Sequence, residues 1–161
     1  MILIVMGISG AGKSTIARLL ASRIGWEWIE ADDLHPGSSV EKMRRGQPLT
    51  DDDREEWLKE LTSIIAHADT AGQNLIVACS ALKARYRERL SRAAGDVRFV
   101  YLRVSHLLAE ARVAARPGHF MPPSLVASQI EVLEEPLDAL VIDANLPADE
   151  IVEAIVDSLR G

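Results

Sequence analysis

The chain has 161 residues, a net charge of −6, 48% hydrophobic and 26% charged residues, the profile of one soluble globular domain with enough apolar mass for a core. The acidic balance argues against a general nucleic-acid-binding role, and no apolar run approaches the ~20 residues of a membrane span. The single cysteine, Cys79, excludes an internal disulfide and fits a reducing compartment, the cytoplasm.

The first element is the apolar run Ile2-Leu3-Ile4-Val5-Met6. It has no basic region before it and leads straight into a turn, so it reads as a buried strand and not a signal peptide. Gly7-Ile8-Ser9-Gly10-Ala11-Gly12-Lys13-Ser14-Thr15 follows at once, matching the phosphate-binding loop G-x-x-x-x-G-K-[ST]. Gly7, Gly10 and Gly12 let the backbone turn sharply and aim its N–H groups at a polyphosphate, with Ser9, Ala11 and Thr15 completing the cradle. Lys13 reaches the β- and γ-phosphates, and the Ser14 hydroxyl is a ligand for Mg²⁺. The helix expected over about 13–24, with Ile16, Leu19, Leu20 and Ile24 on its apolar stripe, points its positive end at the anion.

A second strand over 27–30 ends in Glu30-Ala31-Asp32-Asp33-Leu34-His35-Pro36. A kinase for an alcohol needs a carboxylate that takes the proton of the attacking hydroxyl. Asp32 is the candidate; Glu30 and Asp33 stand as alternatives for holding Mg²⁺ through water. Thr50 to Thr70 reads as a long helix, with Trp57, Leu58, Leu61, Ile64, Ile65 and Ala68 at helical spacing and Thr50 with Asp53 as a capping box. Arg54, after Asp51-Asp52-Asp53, is either a substrate contact or a neutraliser of its neighbours. Trp26, Trp28 and Trp57 sit on core patterns.

A third strand over 74–79 ends in Cys79-Ser80-Ala81-Leu82-Lys83. Ser80 stands where many P-loop ATPases and GTPases place an acidic residue. Cys79 reads as a small packing residue. In the helix expected over 83–94, Lys83 and Arg87 are i,i+4 and would share a face able to hold an anionic acceptor. A fourth strand over 97–103 and a helix over 106–116 lead to Arg112, Arg116, Pro117-Gly118, His119 and Phe120. That short basic stretch, followed by Pro122-Pro123, suits a lid over about 116–124 carrying Arg116 to the transferring phosphoryl group. A fifth strand over 139–142 and a last helix over 147–159 complete the chain. Strands alternating with helices predict an α/β domain whose parallel sheet is covered on both faces. Ligands in such sheets bind beyond the carboxyl ends of the strands, where every motif above lies. No metal-ligand spacing links the histidines and the cysteine.

With these residues in view, the chain resembles the gluconokinase family. The resemblance is carried by the P-loop, Asp33-Leu34-His35-Pro36, Glu41-Lys42-Met43, Gly46 to Arg54, Trp57-Leu58, Cys79 to Lys83, Tyr86-Arg87 and Gly118 to Met121. It implies a three-layer P-loop nucleoside-kinase-like fold, with a five-stranded parallel sheet in the order 2-3-1-4-5. It implies ATP- and Mg²⁺-dependent phosphorylation of the 6-hydroxyl of D-gluconate, and a homodimer. By resemblance Arg112 packs against the adenine beside residues 143–147, and Arg116 reaches the phosphates. His35, Arg54, Lys83, Arg87 and His119 are candidates to hold the sugar acid while Asp32 meets its reacting hydroxyl. One departure stands out: related kinases often carry Asp-x-Asp where this chain has Glu30-Ala31-Asp32.

Overall fold

The computed structural model describes residues 1–117 and 122–161. Its elements are β1 (Ile2–Met6), α1 (Lys13–Ile24), β2 (Glu27–Glu30), a 3-10 turn (Ala31–Leu34), α2 (Gly37–Arg44), α3 (Asp51–Thr70), β3 (Leu75–Ala78), α4 (Ala84–Ser91), β4 (Val97–Arg103), α5 (His106–Ala114), α6 (Ser124–Val132), β5 (Leu140–Asp143) and α7 (Ala148–Arg160). The strands form one sheet in the order β2-β3-β1-β4-β5, and every pairing is parallel. Both the alternation read from the sequence and the strand order implied by the resemblance hold.

β1 lies at the centre, with Ile4 opposite Val77 on one side and Phe99 on the other. A central parallel strand is covered on both faces, so all five of its residues are apolar and buried. The two-residue period sends alternate side chains into two cores. Ile2, Ile4 and Met6 meet Trp57, Leu58, Leu61 and Ile65 of α3 and Tyr86 and Leu90 of α4. Leu3 and Val5 meet Ile16, Ala17 and Leu20 of α1 and Ile151, Ile155 and Val156 of α7. Trp57 is buried in the first core, while Trp26 and Trp28 are partly buried against the second.

The α3 cap is the expected box: Thr50 Oγ1 accepts from Asp53 N–H at 3.2 Å and Asp53 Oδ2 accepts from Thr50 N–H at 2.8 Å. Lys42 Nζ, 2.6 Å from the same carboxylate, and the Thr50 amide hold Asp53 down to about 2. Two helices were not expected. α2 offers the core only Met43 and Ser39, too few positions for a helical stripe. α6 follows Pro122-Pro123, which reads as a break but in fact starts the helix, Pro123 already having helical dihedrals. Helix α5 stops at Ala114, so Arg116 stands beyond it. Among the described residues no helix is long and apolar enough to cross a membrane.

Candidate active site

The turn from β1 into α1 is shaped by its glycines. Gly10 has φ +86°, and a Cβ there would lie 2.9 Å from the Ala109 Cα, so a side chain is excluded by both conformation and contact with α5. Gly12 has φ +94° with nothing within 4 Å of a Cβ position; only the left-handed backbone demands glycine there. Lys13 opens α1, is buried, and donates from Nζ to Ile8 O at 3.0 Å. Burial pushes its ammonium pKa down, and the Asp32 and Glu30 carboxylates oppose that shift.

The acidic side comes from the end of β2. Ser14 Oγ donates to the Glu30 carboxylate, whose other oxygen accepts from Asp32 N–H at 3.3 Å. Burial raises the Glu30 carboxyl pKa, and the neighbouring Asp32 charge raises it further. Of the two alternatives for holding Mg²⁺ through water, Glu30 contacts Ser14, while Asp33 is exposed. His35 Nε2 lies 3.8 Å from Asp32 Oδ1, and its ring stacks on Trp57 with centroids 4.8 Å apart. The Trp57 indole N–H donates to Ala31 O at 2.7 Å, so α3 fixes the turn that carries Asp32. The buried His35 Nδ1 has no hydrogen-bond partner among the described residues; burial lowers the ring's pKa.

Ser9, Gly10, Gly12, Lys13, Ser14, Glu30, Asp32, Asp33 and Arg116 line one cleft of about 160 Å³. A second cavity of about 310 Å³ adjoins it, walled by Ala11, Thr15, Ile16, Arg112, Ala115, Leu146, Ala148 and Ile151. Arg112 donates to Gly10 O at 3.2 Å and Ala144 O at 2.9 Å, tying the P-loop to the β5–α7 loop. Among the described residues no group of three or more His, Cys, Asp or Glu could hold a metal ion. The oxygen donors of Ser14 and Glu30 beside a phosphate cradle nonetheless suit Mg²⁺, which takes one or two protein oxygens and completes its shell with water and phosphate.

Beyond Asp32 the basic residues divide. Lys83 Nζ is 3.0 Å from Asp51 Oδ1, and Tyr86 and Arg85 engage the same carboxylate. Hydrogen bonds from Arg85, Tyr86 and Lys83 hold the Asp51 carboxyl far below the ordinary range. Arg54 reaches Tyr86 Oη at 3.5 Å and lies over its ring. Among the described residues Arg54 forms no ion pair, because Asp51 and Asp53 are taken by other cations. Arg87 does not join Lys83. It is buried, and its guanidinium donates to Ala81 O at 2.8 Å, Leu82 O at 3.1 Å and Glu134 O at 2.8 Å. The shared face fails because Lys83 is the extended N-cap of α4 (φ −97°, ψ 141°) and not a helical residue. Arg87 braces Ala81, which holds a φ of +44° that a side chain seldom adopts. His119 and the middle of the expected lid, residues 118–121, lie outside the described residues. Cys79 is buried with its thiol pKa pushed up to about 12 by burial, consistent with packing and not nucleophilic attack.

The sequence also missed Gln129 of α6, whose Oε1 accepts from Ser9 N–H at 2.6 Å. A neutral amide 120 positions from its partner, in a helix with no sequence signal, leaves nothing local to detect.

The AAA domain family matches residues 2–138. The gluconokinase of Gluconobacter oxydans is 46% identical over 157 residues, covering 96% of this chain and 88% of that protein. A sugar kinase from Janibacter, solved without ligand, superposes with a TM-score of 0.92 at 39% identity, covering 99% of this chain and 94% of that one. A gluconokinase from Sinorhizobium meliloti superposes with a TM-score of 0.86 at 40% identity, covering 98% and 90%.

One structural prediction follows from Arg87. Replacement by Met removes three charged hydrogen bonds and takes from the buried Ala81 carbonyl its guanidinium donor, while Leu82 O keeps the Glu134 N–H; stability falls by about 3 kcal/mol. Urea unfolding of Arg87→Met measures it; a midpoint equal to wild type would refute the bracing role.

Proposed function

The chain belongs to the gluconokinase family, and on that premise we propose that it transfers the γ-phosphoryl group of ATP to the 6-hydroxyl of D-gluconate, giving 6-phospho-D-gluconate and ADP. The observation that carries the reading is the convergence of Lys13, Ser14, Asp32 and Arg116 on one cleft, with a nucleotide-sized cavity on one side and the Arg54–Tyr86–Lys83 cluster beyond His35 on the other.

In this reading the backbone from Gly7 to Thr15 cradles the phosphates, and the adenine lies in the cavity beside Arg112. Ser14 and Glu30 would hold Mg²⁺, which when bound neutralises charge on the β- and γ-phosphate oxygens. Lys13 and Arg116 stabilise the charge that spreads over the equatorial oxygens of the transferring group. Asp32 orients the 6-hydroxyl and accepts its proton as the new O–P bond forms. His35 and, by the family resemblance, His119 meet the sugar hydroxyls. The gluconate carboxylate is assigned to Lys83 and Arg54. An acceptor with a carboxylate fits a cluster in which Arg54, Lys83 and Arg85 surround one Tyr86 ring while the Asp51 carboxylate pairs with Lys83 and Arg85 and leaves Arg54 without it. Arg87 serves the acceptor only by holding the loop before Lys83. From the same family resemblance we infer a cytoplasmic homodimer that takes D-gluconate and ATP as its small-molecule partners.

The test is ADP release from Mg·ATP with D-gluconate, shikimate, AMP and glycerate in parallel. Release confined to D-gluconate is expected; release with another acceptor alone would replace the substrate assignment. Asp32→Asn is expected to bind ATP as wild type does and to lose turnover by roughly a hundredfold or more, the range of a general base; near-normal turnover would remove Asp32 from that role. Lys83→Ala is expected to raise the KM for D-gluconate much more than that for ATP. Equal effects on both would mark a lysine that serves only the fold.

A further inference from the structure

Resting on the kinase reading above, we propose that Gln129 is a positioning residue that couples the acceptor pocket to the P-loop, by releasing the Ser9 amide when the sugar acid binds. Ser9 lines the phosphate cleft and is buried. A buried backbone N–H needs an acceptor, because one left without a partner forfeits the hydrogen bond it would make to water. Here Gln129 Oε1 supplies it at 2.6 Å. The same Gln129 lines a separate cavity of about 150 Å³ with Arg54, Met43, Pro48 and Leu49, on the side assigned to the acceptor.

Helix α6 is built to carry this link. Its Val126 packs with Ile8 of the P-loop and with Leu82, and its Leu125 packs with Met43 and Leu49. The Gln129 carboxamide therefore stands between a hydroxyl-rich ligand on one side and the Ser9 amide on the other. A sugar acid in the pocket offers hydroxyl donors that compete with Ser9 for Oε1. Once the carboxamide turns to them, Ser9 N–H is satisfied by a phosphate oxygen, adding a donor to the nucleotide's cradle. The acceptor thereby tightens nucleotide binding, and by linkage the nucleotide tightens acceptor binding by the same factor.

The experiment is calorimetric binding of the non-hydrolysable β,γ-imido analogue of ATP with Mg²⁺, with and without saturating D-gluconate. In wild type D-gluconate should tighten the analogue by roughly fivefold or more. Gln129→Met deprives Ser9 N–H of its internal acceptor, so this variant should bind the analogue alone about as tightly as wild type does with D-gluconate, and show no further gain. Gln129→Asn, too short to reach Ser9, should behave like Met and stands in for it if the Met variant is unstable. Gln129→Glu keeps an accepting oxygen but adds negative charge near the phosphates; it should bind the analogue more weakly while retaining the D-gluconate effect. A merely structural Gln129 would weaken analogue binding in the Met and Asn variants and leave the coupling in place, and that result overturns the proposal. No coupling in a wild-type enzyme that releases ADP with D-gluconate also overturns it. No D-gluconate-dependent ADP release by wild type would instead refute the functional reading beneath it.

Discussion

The structure around the cleft depends on burying one ammonium group. Lys13 sits at the positive end of α1, where a cation is disfavoured both by desolvation and by the helix dipole. It is tolerable there because two carboxylates, Asp32 and Glu30, face it from the end of β2. Those carboxylates are themselves half-buried and repel each other, which raises the Glu30 pKa. Cation and anions thus each make the other's burial possible. The requirement explains why β2 must end level with the P-loop, held by its register against β3 and by β3 against β1. The same arrangement leaves positive charge and backbone amides facing a cleft suited to phosphate, with a carboxylate on the acceptor's side.

Much of the remaining machinery holds backbone in place and only indirectly touches a ligand. Trp57 carries a hydrogen bond to Ala31 and a stacking contact to His35, so the long α3 helix locates the turn bearing Asp32. Arg87 commits both terminal nitrogens of its guanidinium to the Ala81–Leu82 turn and Glu134. Arg112 ties the P-loop to Ala144 while lining the nucleotide-sized cavity. In both arginines a residue type that suggests ligand contact in a sequence answers a backbone need first. Three arginines thus divide by burial. Arg87 is consumed inside, Arg112 is shared, and Arg116 lies past the end of α5 facing the cleft.

How far the sequence could be read follows from the range of the interactions involved. The P-loop was legible because its chemistry is written in consecutive residues, and Asp32 because the end of a parallel strand fixes where its side chain goes. The capping box of α3 was legible for the same reason, its two partners being three residues apart. Lys83 and Arg87 were misjudged as a pair because i,i+4 spacing implies a common face only where both residues are helical. Lys83 is the cap, so the helix begins one residue too late for the rule. Helices α2 and α6 escaped because one has almost no apolar positions and the other starts at a proline that also signals interruption.

The contacts least visible in sequence are those that join the two sides of the cleft. Gln129 to Ser9 spans 120 positions, and Arg87 to Glu134 spans 47; neither partner of the first carries a charge or sits in a motif that specifies the other. Such links are needed in this architecture for a physical reason. The nucleotide's cradle is fixed by the β1–α1 turn, while the acceptor's side is assembled from α2, α3 and the loop before α4. Neither group of elements shares a strand or helix with the other; α6 packs on both and so joins them beside the direct Ser14–Glu30 and Gly7–Ser80 contacts. A transfer enzyme gains from such a connection because γ-phosphate held firmly without an acceptor is exposed to water. A neutral amide suits the connection better than a charge would. It can accept from a backbone N–H and from a hydroxyl in turn, without adding repulsion beside a polyphosphate or a second desolvated ion beside Lys13.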